Sequence, residues 1–258
     1  MKITICGKGG SGKSTVAALL AREYARRNRA VLVVDTDESN LGLHRLLGTD
    51  APPDLMGYYG GKGEMMKKIR AAMSDPSSAE QGETWTIDEL PGDYVTSKNG
   101  IRLVAIGKIH EAGEGCACPM GMLARRFLDH LDLKDGDVVI ADTEAGIEHF
   151  GRGIDQGADV ILMVVDPSFE SLRLAEKVAG MTARIGVPLC YVLNRTDPPS
   201  AARLRKGLPG SSRITCEIPQ DPGILAAGLD GRALDQSLPG IAALADVLDA
   251  TRKGKPRT

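Results

Sequence analysis

Residues 2–15, KITICGKGGSGKST, decide the fold. A short apolar run (2–6) turns straight into Gly7-Lys8-Gly9-Gly10-Ser11-Gly12-Lys13-Ser14, which fills every position of G-x-x-x-x-G-K-[ST]. An amphipathic helical pattern follows at 13–27, and strand before, helix after is the context that confirms this motif. Its glycines let the backbone curl so that consecutive N–H groups point at phosphate oxygens, and the helix adds the positive end of its dipole. Gly9, Gly10, Ser11, Gly12, Lys13, Ser14 and Thr15 are therefore expected to hold nucleotide phosphates. Lys13 should reach the β- and γ-phosphates, and the Ser14 hydroxyl should coordinate Mg2+.

Outward from this loop, apolar β-branched runs recur at 2–6, 30–35, 101–106, 137–142, 159–166, 188–194 and 213–219. They are continuous rather than alternating, as strands covered on both faces should be. Amphipathic patterns lie between them, for instance at 13–27, 121–131 and 171–185. The alternation predicts an α/β fold: a doubly wound, mostly parallel sheet flanked by helices, with ligands at the C-terminal ends of its strands. Residues 1–258 read as one P-loop domain. The segment at about 50–100 breaks the rhythm and reads as an insertion with loops, a candidate hairpin and one helical stretch (64–73). It is either a solvated excursion or a partner-contacting lid, and it holds the only tryptophan, Trp85. The basic tail at 253–258 reads as frayed.

A formal net charge of −2 over 258 residues gives no electrostatic reason to expect nucleic acid or a membrane as partner. No apolar run approaches the roughly 20 residues of a membrane span. The N-terminus has the character of neither a signal nor a transit peptide, so a cytoplasmic location with reduced thiols is expected.

Two further strand ends carry carboxylates. The run 30–35 leads into Asp35-Thr36-Asp37-Glu38-Ser39-Asn40, and the run 137–142 into Asp142-Thr143-Glu144-Ala145-Gly146-Ile147-Glu148. A carboxylate beside a phosphate loop can orient water or Mg2+. Asp142 followed by Gly146 suits a metal-linked aspartate with a glycine hinge that responds to the γ-phosphate. Asn194-Arg195-Thr196-Asp197 invites a guanine-reading interpretation, but the usual lysine is Arg195, and Asp197 opens the turn DPPS, a common structural place for aspartate.

Cys6, Cys190 and Cys216 sit in apolar strands and read as inert core residues. Cys116 and Cys118 differ. They lie in GEGCACPMGM (113–122), a glycine-flanked loop feeding a helix, where the helix N-terminus favours thiolates. Two thiolates fill half of a tetrahedral metal site, and a twofold axis through the loop would complete it. The alternatives are two unpartnered surface cysteines, or a redox pair lacking the usual Cys-x-x-Cys spacing.

The loop GKGGSGKST resembles the deviant phosphate loop of the class containing MinD, ParA, the arsenite-pump ATPase and the nitrogenase iron protein. The resemblance implies that Lys8 crosses a face-to-face dimer to the partner's nucleotide. It also implies that Asp37 orients the attacking water, while Asp35 is structural or linked to Mg2+ through water. Asn194 and Arg195, with the backbone near Ile218-Pro219-Gln220-Asp221, would contact adenine, favouring ATP over GTP. Adding Cys-x-Cys, the run 142–149 (DTEAGIEH) and Arg152-Gly153, the chain is similar to the CooC family, nickel-insertion ATPases of carbon monoxide dehydrogenase maturation. That resemblance implies a homodimer with slow, dimerisation-dependent ATP hydrolysis. It places Ni2+ or Zn2+ on Cys116 and Cys118 at the interface, and makes carbon monoxide dehydrogenase (or acetyl-CoA synthase) the client. Two other readings come from the wider class. An iron-protein-like electron donor would take cysteines from two separate segments, which this chain does not offer. A MinD- or ParA-type spatial regulator would want a basic C-terminal helix, whereas 240–252 carries Asp246 and Asp249. His110 and His149 are secondary ligand candidates, the former read as solvated and the latter as structural or coupling.

Overall fold

Each of the seven apolar runs forms a strand. They are β1 (Lys2–Gly7), β2 (Val31–Asp35), β4 (Ile101–Ala105), β5 (Val138–Asp142), β6 (Val160–Val165), β7 (Leu189–Thr196) and β8 (Ile214–Pro219), joined by a short β3 (Thr96–Lys98). The computed structural model describes residues 1–74, 84–110, 118–210 and 213–253. The eight strands form one sheet in the order β3-β4-β2-β5-β1-β6-β7-β8, parallel except for the β3–β4 pair. The hairpin β3–β4, turning at Asn99-Gly100, is the one within the irregular segment.

Helices cover both faces: α1 (Lys13–Arg26), α2 (Leu43–Leu47), α3 (Leu55–Tyr58), α4 (Gly61–Ser74), α5 (Cys118–Asp129), α6 (Glu148–Arg152), α7 (Phe169–Ile185), α8 (Pro198–Gly207), α9 (Pro222–Leu229) and α10 (Pro239–Lys253). Successive strand residues point to opposite faces, so each strand feeds two cores. On one face Ile3, Ile5 and Val33 pack with Val16, Leu20 and Tyr24 of α1 and with Leu244 and Leu248 of α10. On the other, Leu32, Val34 and Val139 meet Leu123 and Phe127 of α5, while Cys6, Met163 and Leu193 meet Val178 of α7 and Leu204 of α8. Each fully buried side chain of this size contributes about 2 kcal/mol.

The last helix is also pinned by charge. Arg27 reaches Asp246 at 2.7 Å and Arg29 reaches Asp249 at 3.2 Å, so these aspartates fasten α10 to the end of α1. Among the described residues no helix is long and apolar enough to cross a membrane.

The described part of the 50–100 segment corrects its reading as a solvated excursion. Trp85 is buried, with ring centroids 5.8 Å from Tyr58 and 5.8 Å from Phe127 of α5. With Met65, Ile87 and Leu90 it belongs to the core beneath α5, so this part of the segment is packed into the fold rather than solvated. Aromatics scattered in sequence carry no periodicity, and only the fold brings them together. The tail from 254 onward lies outside the described residues.

Parallel register sets the strand ends side by side. Asp142 pairs with Ile5 on one flank and with Asp35 on the other. Every candidate carboxylate therefore opens onto the same edge as the glycine loop.

Candidate functional site

The loop between β1 and α1 is closed by Ser11 N donating to Lys8 O at 3.1 Å. Gly12 has φ 97°, and a β-carbon there would lie 2.2 Å from Asn194 Nδ2. That amide instead donates to Ser11 O at 2.7 Å, clamping the end of β7 onto the loop. Arg195 adds a second clamp, its Nη1 donating to Gly10 O at 2.9 Å from a backbone held at φ 57°. Positive φ is uncommon for a residue with a side chain, and it marks where the chain is bent to a task. Thr15, Asn194, Arg195, Pro219, Asp221 and Leu225 line a cavity of about 240 Å3 beside the loop. The base-contacting residues expected from the sequence thus converge. Asp197 is not in this lining: it caps α8, accepting from Ser200 N at 2.8 Å, and the guanine reading loses its carboxylate.

Lys13 and Ser14 open α1 next to the carboxylates. Ser14 Oγ donates to Asp142 Oδ2 at 2.6 Å, and Asn40 Nδ2 donates to Ser14 Oγ at 2.7 Å. Asp142 is fully buried, and its Oδ1 has no hydrogen-bond partner. Burial, with Asp35 adding and Ser14 opposing, pushes its pKa up to about 7. A hydroxyl beside an orphaned carboxylate oxygen is an oxygen donor set of the kind a hard divalent cation takes, so these residues fit Mg2+.

Asp35 has a different task. Its Oδ2 lies 2.7 Å from Lys108 Nζ, both side chains being nearly inaccessible, so it acts as a buried structural counter-ion. Burial raises its pKa to about 6 against the opposing pull of Lys108. Asp37 Oδ1 accepts from Ser39 N at 2.9 Å, from Ser39 Oγ at 2.6 Å and from Asn40 N at 3.2 Å, bracing the turn after β2.

Lys8, expected across a dimer, is paired within its own chain, its Nζ 3.1 Å from Asp166 Oδ2. Asp166 also accepts from Ser168 and Ser171 at the start of α7. Burial opposes its ionisation, but these hydrogen bonds and Lys8 outweigh it and hold the carboxyl below its ordinary pKa. The hinge Gly146 touches the same loop, its N–H donating to Gly7 O at 3.2 Å.

Beyond the hinge, Arg152 spans two acidic groups. Nη1 is 2.7 Å from Glu144 Oε2 and Nη2 is 3.5 Å from Glu38 Oε1. Burial and the adjacent Glu38 push the Glu144 pKa up to about 8, against Arg152. His149 is fully buried, 3.7 Å from Asp155, and neither side chain makes a hydrogen bond. Burial drives His149 down to about 3, helped by the cations Lys13 and Arg152. Such placement removes His149 from the surface-ligand candidates. His110 is 63% exposed, with Nε2 2.8 Å from Asp54 Oδ2.

Cys118 is the first residue of α5 and is exposed. Cys116 lies outside the described residues. Among the described residues no group of three or more His, Cys, Asp or Glu side chains is placed to hold a metal. Cys6, Cys190 and Cys216 are buried, and burial raises all three thiol pKa values, that of Cys216 to about 12.

Lys108, Asn40 and Asp166 carry parts of this network that sequence reasoning assigned to no one. Asn40 and Asp166 at least stand at strand ends, where function was expected. Lys108, in the run IGKIH, carries no spacing signal at all.

Residues 2–234 match the family described as the CobQ/CobB/MinD/ParA nucleotide-binding domain. The chain is 47% identical over 250 residues to an uncharacterized ATP-binding protein of Methanocaldococcus jannaschii, covering 96% of this chain and 99% of that one. It is 30% identical over 232 residues to the carbon monoxide dehydrogenase accessory protein CooC of Rhodospirillum rubrum, covering 90% and 88%. Among solved structures it is similar to the septum site-determining protein MinD of Pyrococcus horikoshii, complexed with Mg-ADP. There the TM-score is 0.68 at 20% identity, over 99% of each chain.

Proposed function

The chain belongs to the CobQ/CobB/MinD/ParA nucleotide-binding family of P-loop ATPases, and from that footing we propose that it is an ATP-dependent metallochaperone. In this reading one domain works in the cytoplasm as a homodimer. Cys116 and Cys118 of both subunits share one Ni2+ or Zn2+, and nickel is delivered to carbon monoxide dehydrogenase. The observation that carries it is the position of Cys118: an exposed cysteine opening a helix packed against the core beside the nucleotide switches, two residues after a second cysteine. The likeness to the Rhodospirillum rubrum accessory protein supports the same client.

The residues divide the work. Backbone amides of 9–15 and the Lys13 ammonium hold the ATP phosphates, with Asn194, Arg195 and Pro219 around the adenine. Ser14 and Asp142 would hold Mg2+, which supplies positive charge to the β- and γ-phosphate oxygens when bound. Asp37 orients the water for in-line attack, its turn already braced by Ser39 and Asn40. Lys8 leaves Asp166 for the partner's nucleotide, where it stabilises charge on the transferred phosphoryl group as an arginine finger does.

Metal content and mass of the reduced protein test the reading. Four-coordinate metal needs two thiolates from each chain, so binding and dimerisation are one event. One Ni2+ or Zn2+ per dimer is expected, and none in Cys116→Ser/Cys118→Ser, which keeps ATP binding. One metal per monomer, or stoichiometric metal in the double variant, overturns it.

A further inference from the structure

Both stems of the cysteine segment are tied to the turn after β2. On the upstream side Ile106 N donates to Asp35 O at 3.0 Å and Ile109 N to Glu38 O at 3.1 Å. Between them Lys108 is buried, its Nζ held by the Asp35 carboxylate and the Asp37 carbonyl. On the downstream side the tie runs through Arg152. Its stem fills the place of a side chain on α5: a β-carbon at Gly121 would lie 2.3 Å from Arg152 Cδ. The guanidinium meanwhile bridges Glu38 and Glu144, one from each switch segment. Glu38 thus touches both stems, through its carbonyl to residue 109 and through its carboxylate to Arg152.

We infer that Arg152 is the positioning residue that couples the nucleotide switches to the cysteine helix, with Lys108 as the corresponding tie on the upstream stem. The inference deepens the metallochaperone reading and rests on it for its purpose, though not for its test. Nucleotide binding acts on Asp37 and on the Gly146 hinge, so it acts on the carboxylates of Glu38 and Glu144 that flank them. A rigid guanidinium shared between the two answers any change in their separation by moving its stem. The stem lies against bare backbone at Gly121, three residues into the helix that Cys118 opens, so the motion reaches that helix without slack. A β-carbon at 121 would displace that stem.

The test reads Cys118 directly, without metal. In reduced protein carrying Cys116→Ser, Cys118 is exposed while Cys6, Cys190 and Cys216 are buried, so iodoacetamide alkylation reports on Cys118. Its rate is measured with ADP and with a non-hydrolysable ATP analogue, alongside nucleotide affinity and oligomeric mass. The expected ratio of the two rates is about fivefold or more, the usual scale of a coupling between sites. Adding Arg152→Ala should bring that ratio to about one while nucleotide affinity and mass stay as in the background. Gly121→Ala, which leaves every charge in place and displaces the stem, should do the same, and Lys108→Met should reduce the ratio. A ratio that survives Arg152→Ala overturns the inference, as does its loss together with nucleotide-dependent dimerisation. A background protein with no nucleotide effect on Cys118 overturns it too. Failure of metal binding with the alkylation ratio intact would sink the metallochaperone reading and leave the coupling standing.

Discussion

Lys8 and Asp166 form an ion pair within one chain, 3.1 Å apart at the mouth of the phosphate loop. A part-exposed pair of this kind contributes about 0.5 kcal/mol, so its exchange for a partner's nucleotide costs little. Lys8→Ala should therefore keep ATP binding and lose both hydrolysis and ATP-dependent dimerisation. Equilibrium binding and mass in the presence of ATP check this; loss of binding would mean that Lys8 serves its own subunit's site.

Lys13 is largely buried at the start of α1, one residue before the Ser14–Asp142 contact. Removing a preorganised cation from the β- and γ-phosphates should lower turnover by at least about 100-fold in Lys13→Ala. Phosphate release measures it, and near wild-type turnover would show the site to be elsewhere.

Asp37→Asn should trap an ATP-bound dimer. The amide retains one oxygen to accept from Ser39 and Asn40, so the turn persists while the negative charge that orients water is gone. Phosphate release should stop while the dimer accumulates with ATP. Normal turnover would remove Asp37 from the mechanism.

Asp155 is nearly inaccessible, and both carboxylate oxygens lack hydrogen bonds. Burial raises its pKa from 3.8 to about 7. The folded chain thus binds this proton more tightly than the unfolded chain. Stability conferred by the protonated form is full below pH about 4 and is lost as pH climbs to about 7. Asp155→Asn should remove that loss. Its thermal midpoint relative to wild type should rise between pH 5 and pH 8 by several degrees, on the order of 2 kcal/mol. A difference that is flat with pH would show the carboxyl to be hydrated or partnered in solution.

How much of this was legible before folding differs from residue to residue. The phosphate loop could be read because its demands are local. Glycines, a lysine and a hydroxyl at fixed spacing between a strand and a helix dictate one backbone path, whatever surrounds them. Asp142 and Asn194 were legible for a related reason, since parallel strands present their last residues along one edge. The cysteine pair was legible as chemistry, because two thiols one residue apart at the start of a helix are a local pattern.

Sequence alone therefore determined the sheet, the phosphate loop and which strand ends meet it, because hydrophobic period and backbone geometry act over a few residues. The tertiary structure alone decided that Asp35 spends its charge on Lys108, that Asp166 holds Lys8, and that Trp85 is packed beneath α5. It alone set Arg152 between Glu38 and Glu144 with its stem on Gly121. Ion pairs and close approaches between residues far apart in the chain depend on where whole helices come to rest, and no local pattern encodes that distance.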